Sequence, residues 1–116
     1  MTELTTYDFG FGDVPAYLHR NPSGMCGGWV DATAKIGEGV WIHAGAWICE
    51  HARIDDCVVI DRRAYIGPNV VVGYGAWVNE RAHIGPRAEI RTGAMICSDA
   101  IVPADAIIEP RETVRV

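Results

Sequence analysis

Branched apolar residues recur along this chain at every sixth position. The series runs Val30, Ile36, Ile42, Ile48, Ile54, Ile60, Ile66, Val72, Val78, Ile84, Ile90, Ile96, Val102 and Ile108, and Val114 opens a further unit. Four residues after each member stands a second small apolar residue: Ala34, Val40, Ala46, Ala52, Val58, Ala64, Val70, Ala76, Ala82, Ala88, Ala94, Ala100 and Ala106. Only Glu112 breaks this second row. Residues 30–113 thus hold 84/6 = 14 hexads without an insertion. Small and branched residues two apart point to the same side of an extended chain. Turn formers fill the gaps, as in Ile66-Gly67-Pro68-Asn69 and Ile84-Gly85-Pro86-Arg87. The pattern predicts a short strand and a turn per hexad, and 13 glycines and 6 prolines argue against long helices. No such strand buries its apolar side alone, so stacked neighbours must supply a continuous core.

The hexads of residues 29–114 resemble those of hexapeptide-repeat proteins. The resemblance implies an all-β, single-domain, left-handed parallel β-helix, a triangular β-solenoid with three hexads per coil. At 84/18, that is about 4.7 coils. The lead-in His19-Arg20-Asn21-Pro22 and Gly27-Gly28-Trp29-Val30 also resembles uncharacterised phage and prophage members of this class.

The residue before each Ile or Val should point outward from a flat face. Sorted by 18, one outward column reads Trp29, Trp47, Tyr65, His83, Ile101. A second reads Trp41, Val59, Trp77, Met95, and a third Lys35, Arg53, Val71, Glu89, Ile107. All four tryptophans fall in two columns. Coils about 4.8 Å apart would make ladders of them. Stacked rings stabilise one another within a chain, but five large rings bring roughly 1,000 Å² of surface. Soluble monomers rarely expose more than a few hundred Å² in one patch. Self-association covers such faces, and the family resemblance implies a parallel homotrimer. The expected interface residues are Trp29, Trp41, Trp47, Trp77, Tyr65 and Met95.

Residues 1–28 carry Tyr7, Phe9, Phe11, Pro15, Tyr17 and Leu18, and are expected to plug the first coil as an N-terminal cap to the β-helix of residues 29–116. A net charge of −5, with 15 carboxylates against 10 Lys plus Arg, gives no general attraction to nucleic acid polymers or anionic membranes. Met1–Gly10 has neither a basic start nor an apolar run, so no signal peptide is visible and a cytoplasmic setting is expected. Cys26, Cys49, Cys57 and Cys97 form no CxxC pair and read as free thiols.

Candidate chemistry concentrates on the ridge between the two aromatic faces. One turn column reads His43, Asp61, Asn79, Cys97 and another Gly45, Arg63, Arg81, Asp99, with Arg62 and Glu80 between them. His43 and Cys97 lie three coils apart, roughly 14 Å at the coil spacing, so no triad forms within one chain. His43 and Asp61 on adjacent coils are placed to pair. Arg63 above Arg81 sets like charges together unless Asp61, Glu80 and Asp99 neutralise them or an anion sits there. Arg62, Arg63 and Arg81 with Tyr65, His83 and His43 therefore form a candidate site for a small anionic ligand bearing a ring, such as a nucleotide. His43, His51 and His83 occupy three different columns and His19 lies outside the repeat, which disfavours a shared three-His zinc site; no metal is expected.

The leading expectation is a non-catalytic homotrimer that sequesters or senses a small anionic ligand at its subunit interfaces and needs no cofactor. The resemblance implies an alternative, a CoA-dependent acyltransferase with His43 or His83 as base. A purely structural assembly module is a third reading.

Overall fold

A computed structural model of the chain describes residues 4–116. From residue 35 onward every hexad forms a strand of two residues, the second being the sixth-position Ile or Val. Fourteen such strands run from Lys35–Ile36 to Thr113–Val114. They are shared among three parallel sheets in strict rotation. In the first sheet Trp29 pairs with Trp47, Trp47 with Tyr65, Tyr65 with His83, and His83 with Ile101. In the second, Lys35, Arg53, Val71, Glu89 and Ile107 are successive partners. In the third, Trp41, Val59, Trp77, Met95 and Thr113 follow one another. The columns sorted by 18 are therefore the ladders of the molecule. The fold is the expected all-β parallel β-helix, and no helix occurs among the described residues. None, accordingly, is long and apolar enough to cross a membrane.

Both apolar rows point inward and merge into one core, in which Ile42, Ile48, Ile54, Ile60, Ile66, Ile84, Ile90 and Ile96 are fully buried. Each coil turns its corners with a residue in the left-handed backbone region. From Gly39 to Arg111 these recur every six residues, and nine of them, among them Arg63, Arg81 and Asp99, are not glycine. Their amides donate to the coil above: Arg63 N to the Ala44 carbonyl at 3.3 Å, Arg81 N to Arg62 at 2.9 Å and Asp99 N to Glu80 at 3.0 Å. The left-handed kink is what aims those N–H groups along the stack.

The N-terminal segment, expected as a cap of the first coil, is a hairpin at the edge of the first sheet. Strands β1 (Thr5–Asp8) and β2 (Asp13–Arg20) form an antiparallel hairpin whose second strand pairs with β3 (Cys26–Asp31), so the hairpin extends the first sheet. Tyr17 reaches the main core, but Tyr7 and Phe9 pack on the outer, aromatic side of the sheet. β3 also runs through the boundary expected between residues 28 and 29. At the third sheet the exposed edge is closed by side chains. Asn21 accepts from Ile42 N at 2.8 Å and donates to the Ile42 carbonyl at 3.1 Å, and His19 Nε2 lies 2.9 Å from the Val40 carbonyl. Gly27 and Gly28 let this lead-in lie against the coil: a Cβ on Gly27 would run into the Ile42 carbonyl, and one on Gly28 into that of Ala46.

Candidate functional site

The ridge between the third and first sheets is built from the turns at residues 43–46, 61–64, 79–82 and 97–100, stacked one on another. At its third-sheet side, His43 Nε2 lies 3.8 Å from Asp61 Oδ1, and the other Asp61 oxygen accepts the Trp77 indole N–H at 3.1 Å. The Trp41 ring flanks His43, with centroids 6.0 Å apart and planes 22° apart. Below them Asn79 is spent internally, donating to the Ile96 carbonyl at 2.9 Å.

The two arginines of the next column have different partners. Arg81 grips Asp99 through Nε and Nη2, at 2.8 and 3.1 Å, and reaches Glu80 at 2.9 Å. These bonds raise the Arg81 pKa and, through the hydrogen bond from Arg81, lower that of Asp99. Arg81 is thus neutralised from below and from the side, which removes it as a bare anion ligand. Arg63, one coil higher, makes no ion pair with any described residue. The same holds for exposed Arg62. Above Arg63 stands Gly45, where a Cβ would come within 3.0 Å of the Arg63 side chain. Glycine at 45 thus keeps room for the arginine to lie across the turn.

Arg63 and Gly45 open onto a shallow groove of about 320 Å³ whose other walls are Trp47, Tyr65 and His83. Tyr65 and His83 stack face to face, 4.5 Å apart and 11° from parallel. The sequence suggested that both rings offer their faces to a ligand; instead each spends one face on the other. The remaining faces are the lower side of His83, above exposed Ile101, and the upper side of Tyr65, facing Trp47 at 6.5 Å and a 59° tilt. Burial pushes the Tyr65 hydroxyl up to about 12, assisted by its hydrogen bond with Cys49. Desolvation likewise raises the buried Cys49 thiol. Burial thus favours the thiol over the thiolate at Cys49.

The expected interface residues divide in two. Trp29 and Trp47 are half-buried under the chain's own Tyr7 and Phe9. Their cover is intramolecular, a role that the spacing of residues 1–28 did not reveal. Trp77 (43% exposed) and Met95 (37%) lie open on the third sheet, with half-buried Trp41 above them. All four cysteines are free. No group of three His, Cys, Asp or Glu side chains poised for a metal ion occurs among the described residues.

No protein-family model and no curated protein matches the chain in sequence. Among solved structures it is similar to PerB of Caulobacter crescentus, solved with CoA and GDP-perosamine, at 23% identity and a TM-score of 0.41 over 75% of this chain and 48% of that one. A variant of GDP-perosamine N-acetyl transferase from the same organism matches at 20% identity and 0.45, over 67% of this chain and 48% of that chain. Serine acetyltransferase of Neisseria gonorrhoeae matches at 21% and 0.32, over 67% and 35%. The chain spans about half the length of these proteins or less, and the likeness concerns the coil architecture only. The resemblance of the lead-in to phage and prophage proteins finds no support in these comparisons; its Gly27-Gly28 pair has instead the steric reason given above.

Proposed function

We propose that the ridge binds an anionic acyl carrier of the CoA type and that the chain is a small acyltransferase. The observation that supports this reading is the location, on the same two stacked turns, of an arginine without an ion pair and a histidine beside a carboxylate. Arg63 holds a phosphate of the carrier at the mouth of the groove, and the carrier's ring lies on the lower face of His83 or against Tyr65. His43 takes the proton from an acceptor hydroxyl or amine as its lone pair attacks the thioester carbonyl. The tetrahedral intermediate collapses with cleavage of the C–S bond, and the CoA thiolate leaves with the proton from His43. A second copy completes the groove: the open third-sheet face with Trp41, Trp77 and Met95 meets the uncovered part of the first sheet, Tyr65, His83 and Ile101, in a parallel trimer.

A non-catalytic binder is the second reading, and one observation favours it. Asp61 already accepts the Trp77 indole, and its 3.8 Å approach to His43 is loose for an orienting carboxylate. Calorimetry with CoA, together with mass spectrometry of acetyl-CoA turnover on a panel of amines and alcohols, separates the two. Acyl transfer predicts that Arg63→Ala weakens CoA binding about tenfold, the loss of one charge-assisted contact. It also predicts that His43→Gln abolishes turnover but leaves CoA affinity intact. Tight CoA binding without turnover on any acceptor assigns a CoA binder; a wild type without CoA affinity overturns acyl transfer.

A further inference from the structure

The second sheet takes no part in the ridge or its groove, and its outer side carries two columns of residues on five rungs. The first column is Lys35, Arg53, Val71, Glu89 and Ile107; the second, two residues further along each strand, is Gly37, Asp55, Gly73, Arg91 and Glu109. Side chains two apart share this side, since Arg53 lies 3.4 Å from Asp55 and Arg91 2.7 Å from Glu89. The order of charge inverts down the sheet: rung two reads basic then acidic, rung four acidic then basic. Lys35 on rung one makes no ion pair with a described residue. Glu109 on rung five reaches Arg91 at 3.1 Å, yet its side chain stays 64% exposed. Exposed Val71 stands midway. Shallow grooves of about 250 and 280 Å³ lie over Gly73 and Gly37, where the second column has no side chain.

We propose that this face docks on the same face of a second copy, with the two solenoids antiparallel. A two-fold axis along the Val71 strand sets rung one on rung five and rung two on rung four, and keeps each column over itself. Arg53 then meets the partner's Glu89, and Asp55 meets the partner's Arg91. Val71 packs on its own copy, and Glu109 enters the groove over the partner's Gly37, beside the partner's Lys35. Every charge on the face meets its opposite, and symmetry repeats each ionic contact. A two-fold axis along the solenoid also opposes Arg53 and Asp55, but it sets Lys35 near Lys35 and Glu109 near Glu109, which like-charge repulsion disfavours. Five rungs about 4.8 Å apart and four residues wide at about 3.3 Å each give a footprint of roughly 300 Å² per chain. A contact of that size is weak and reversible, and its exposed ion pairs set the register more than the affinity. The trimer proposed above uses the first and third sheets and leaves the second facing outward. This contact therefore joins one such unit to the next and does not depend on it.

The test is sedimentation velocity of the full chain at concentrations up to about 1 mM, in about 0.02 M and about 0.5 M salt. In low salt the average mass should rise about twofold or more above that of the dilute species, and in high salt it should stay flat. Arg53→Glu sets two carboxylates together across the interface and Glu89→Arg two guanidinium groups, so each alone should weaken the association about tenfold or more. In the antiparallel pair the two altered positions face each other, so an equimolar mixture of the variants should associate as the wild type does. In the parallel pair they face Asp55 and Arg91 instead, and the mixture should stay apart. Both side chains lie at the surface, and unaltered circular dichroism verifies the fold. The dilute species, whether monomer or trimer, should be the same in all variants, because the first and third sheets are untouched. A wild type whose mass does not rise at the highest concentration, association undiminished in both variants, or a mixture that does not recover overturns the proposal.

Discussion

The Tyr7 ring lies flat on that of Trp29, with centroids 4.4 Å apart and 15° between planes. Tyr7 also meets Trp47 edge-on at 5.7 Å, as does Phe9 at the same distance. The aromatic ladder of the first sheet is thus covered from outside at its first two rungs, half-buried at Tyr65 and exposed from His83 downward. Changing Tyr7 to Ala should expose both tryptophans, shift their emission to the red and lower stability by about 1–3 kcal/mol. Tyr7→Phe should preserve both. Urea denaturation followed by fluorescence measures them together, and unchanged emission in Tyr7→Ala would show that the hairpin does not cover this face.

Asn21 acts as a one-residue strand. Its amide satisfies both the N–H and the C=O of Ile42 in a buried setting, where no water replaces them. Asn21→Ala leaves both groups unpaired and should cost about 2–4 kcal/mol. Asn21→Asp retains the acceptor but sets a carboxylate against the Ile42 carbonyl, so it should be no better tolerated. Thermal unfolding of the two variants tests this, and a loss under half a kcal/mol in Asn21→Ala would contradict the assigned role.

Arg63 occupies its corner at φ 58°, a conformation that disfavours residues with a Cβ. Gly39, Gly45, Gly75 and Gly93 fill the equivalent corners elsewhere. Arg63→Gly should therefore stabilise the protein by about 1 kcal/mol, since left-handed backbone costs an L-residue roughly that much. The same substitution should weaken CoA binding about tenfold, as Arg63→Ala does. Stability that rises while binding falls marks a residue kept for function; a fall in both would make Arg63 structural.

Burial lowers the pKa of His19 below its ordinary 6.5, outweighing the opposing effect of its bond to the Val40 carbonyl. The folded state therefore holds His19 neutral while the unfolded chain binds a proton from about pH 6.5 downward. The resulting stability is complete above 6.5 and declines as pH falls through the interval down to the folded pKa. Asp8, Asp99 and Asp105, each held below 3.8, act in a separate window: their contribution is present above 3.8 and lost below it. His19→Gln, which keeps a side-chain N–H, should flatten the stability curve just below pH 6.5 without altering the acid limb. A slope that persists in the variant would assign the effect to another group.

The solenoid was legible because every hexad repeats the same local statement: a branched residue facing in, a small residue four places later, and a turn. With a period this regular, the parallel register follows from arithmetic, and so do the vertical neighbours His43–Asp61, Arg63–Arg81 and Tyr65–His83. The charges on the ridge were legible only as an inventory. Whether Arg63 or Arg81 stays unpaired depends on side-chain reach, and Asp99 and Glu80 decide it by converging on Arg81.

Residues 1–28 lie outside the period, and there local pattern had little to offer. Their aromatic content required a buried destination but did not specify which. An antiparallel hairpin against β3, the stacking of Tyr7 on Trp29 and the amide of Asn21 at the Ile42 edge all join positions far apart in the chain, and no spacing encodes them. The sequence alone determined the repeat, its core and its vertical ladders, because those contacts are copies of one local rule. Tertiary structure decided which rungs are covered, because that depends on how a non-repeating segment packs against repeating ones, and which ridge arginines stay unpaired, because that depends on side-chain reach between neighbouring turns.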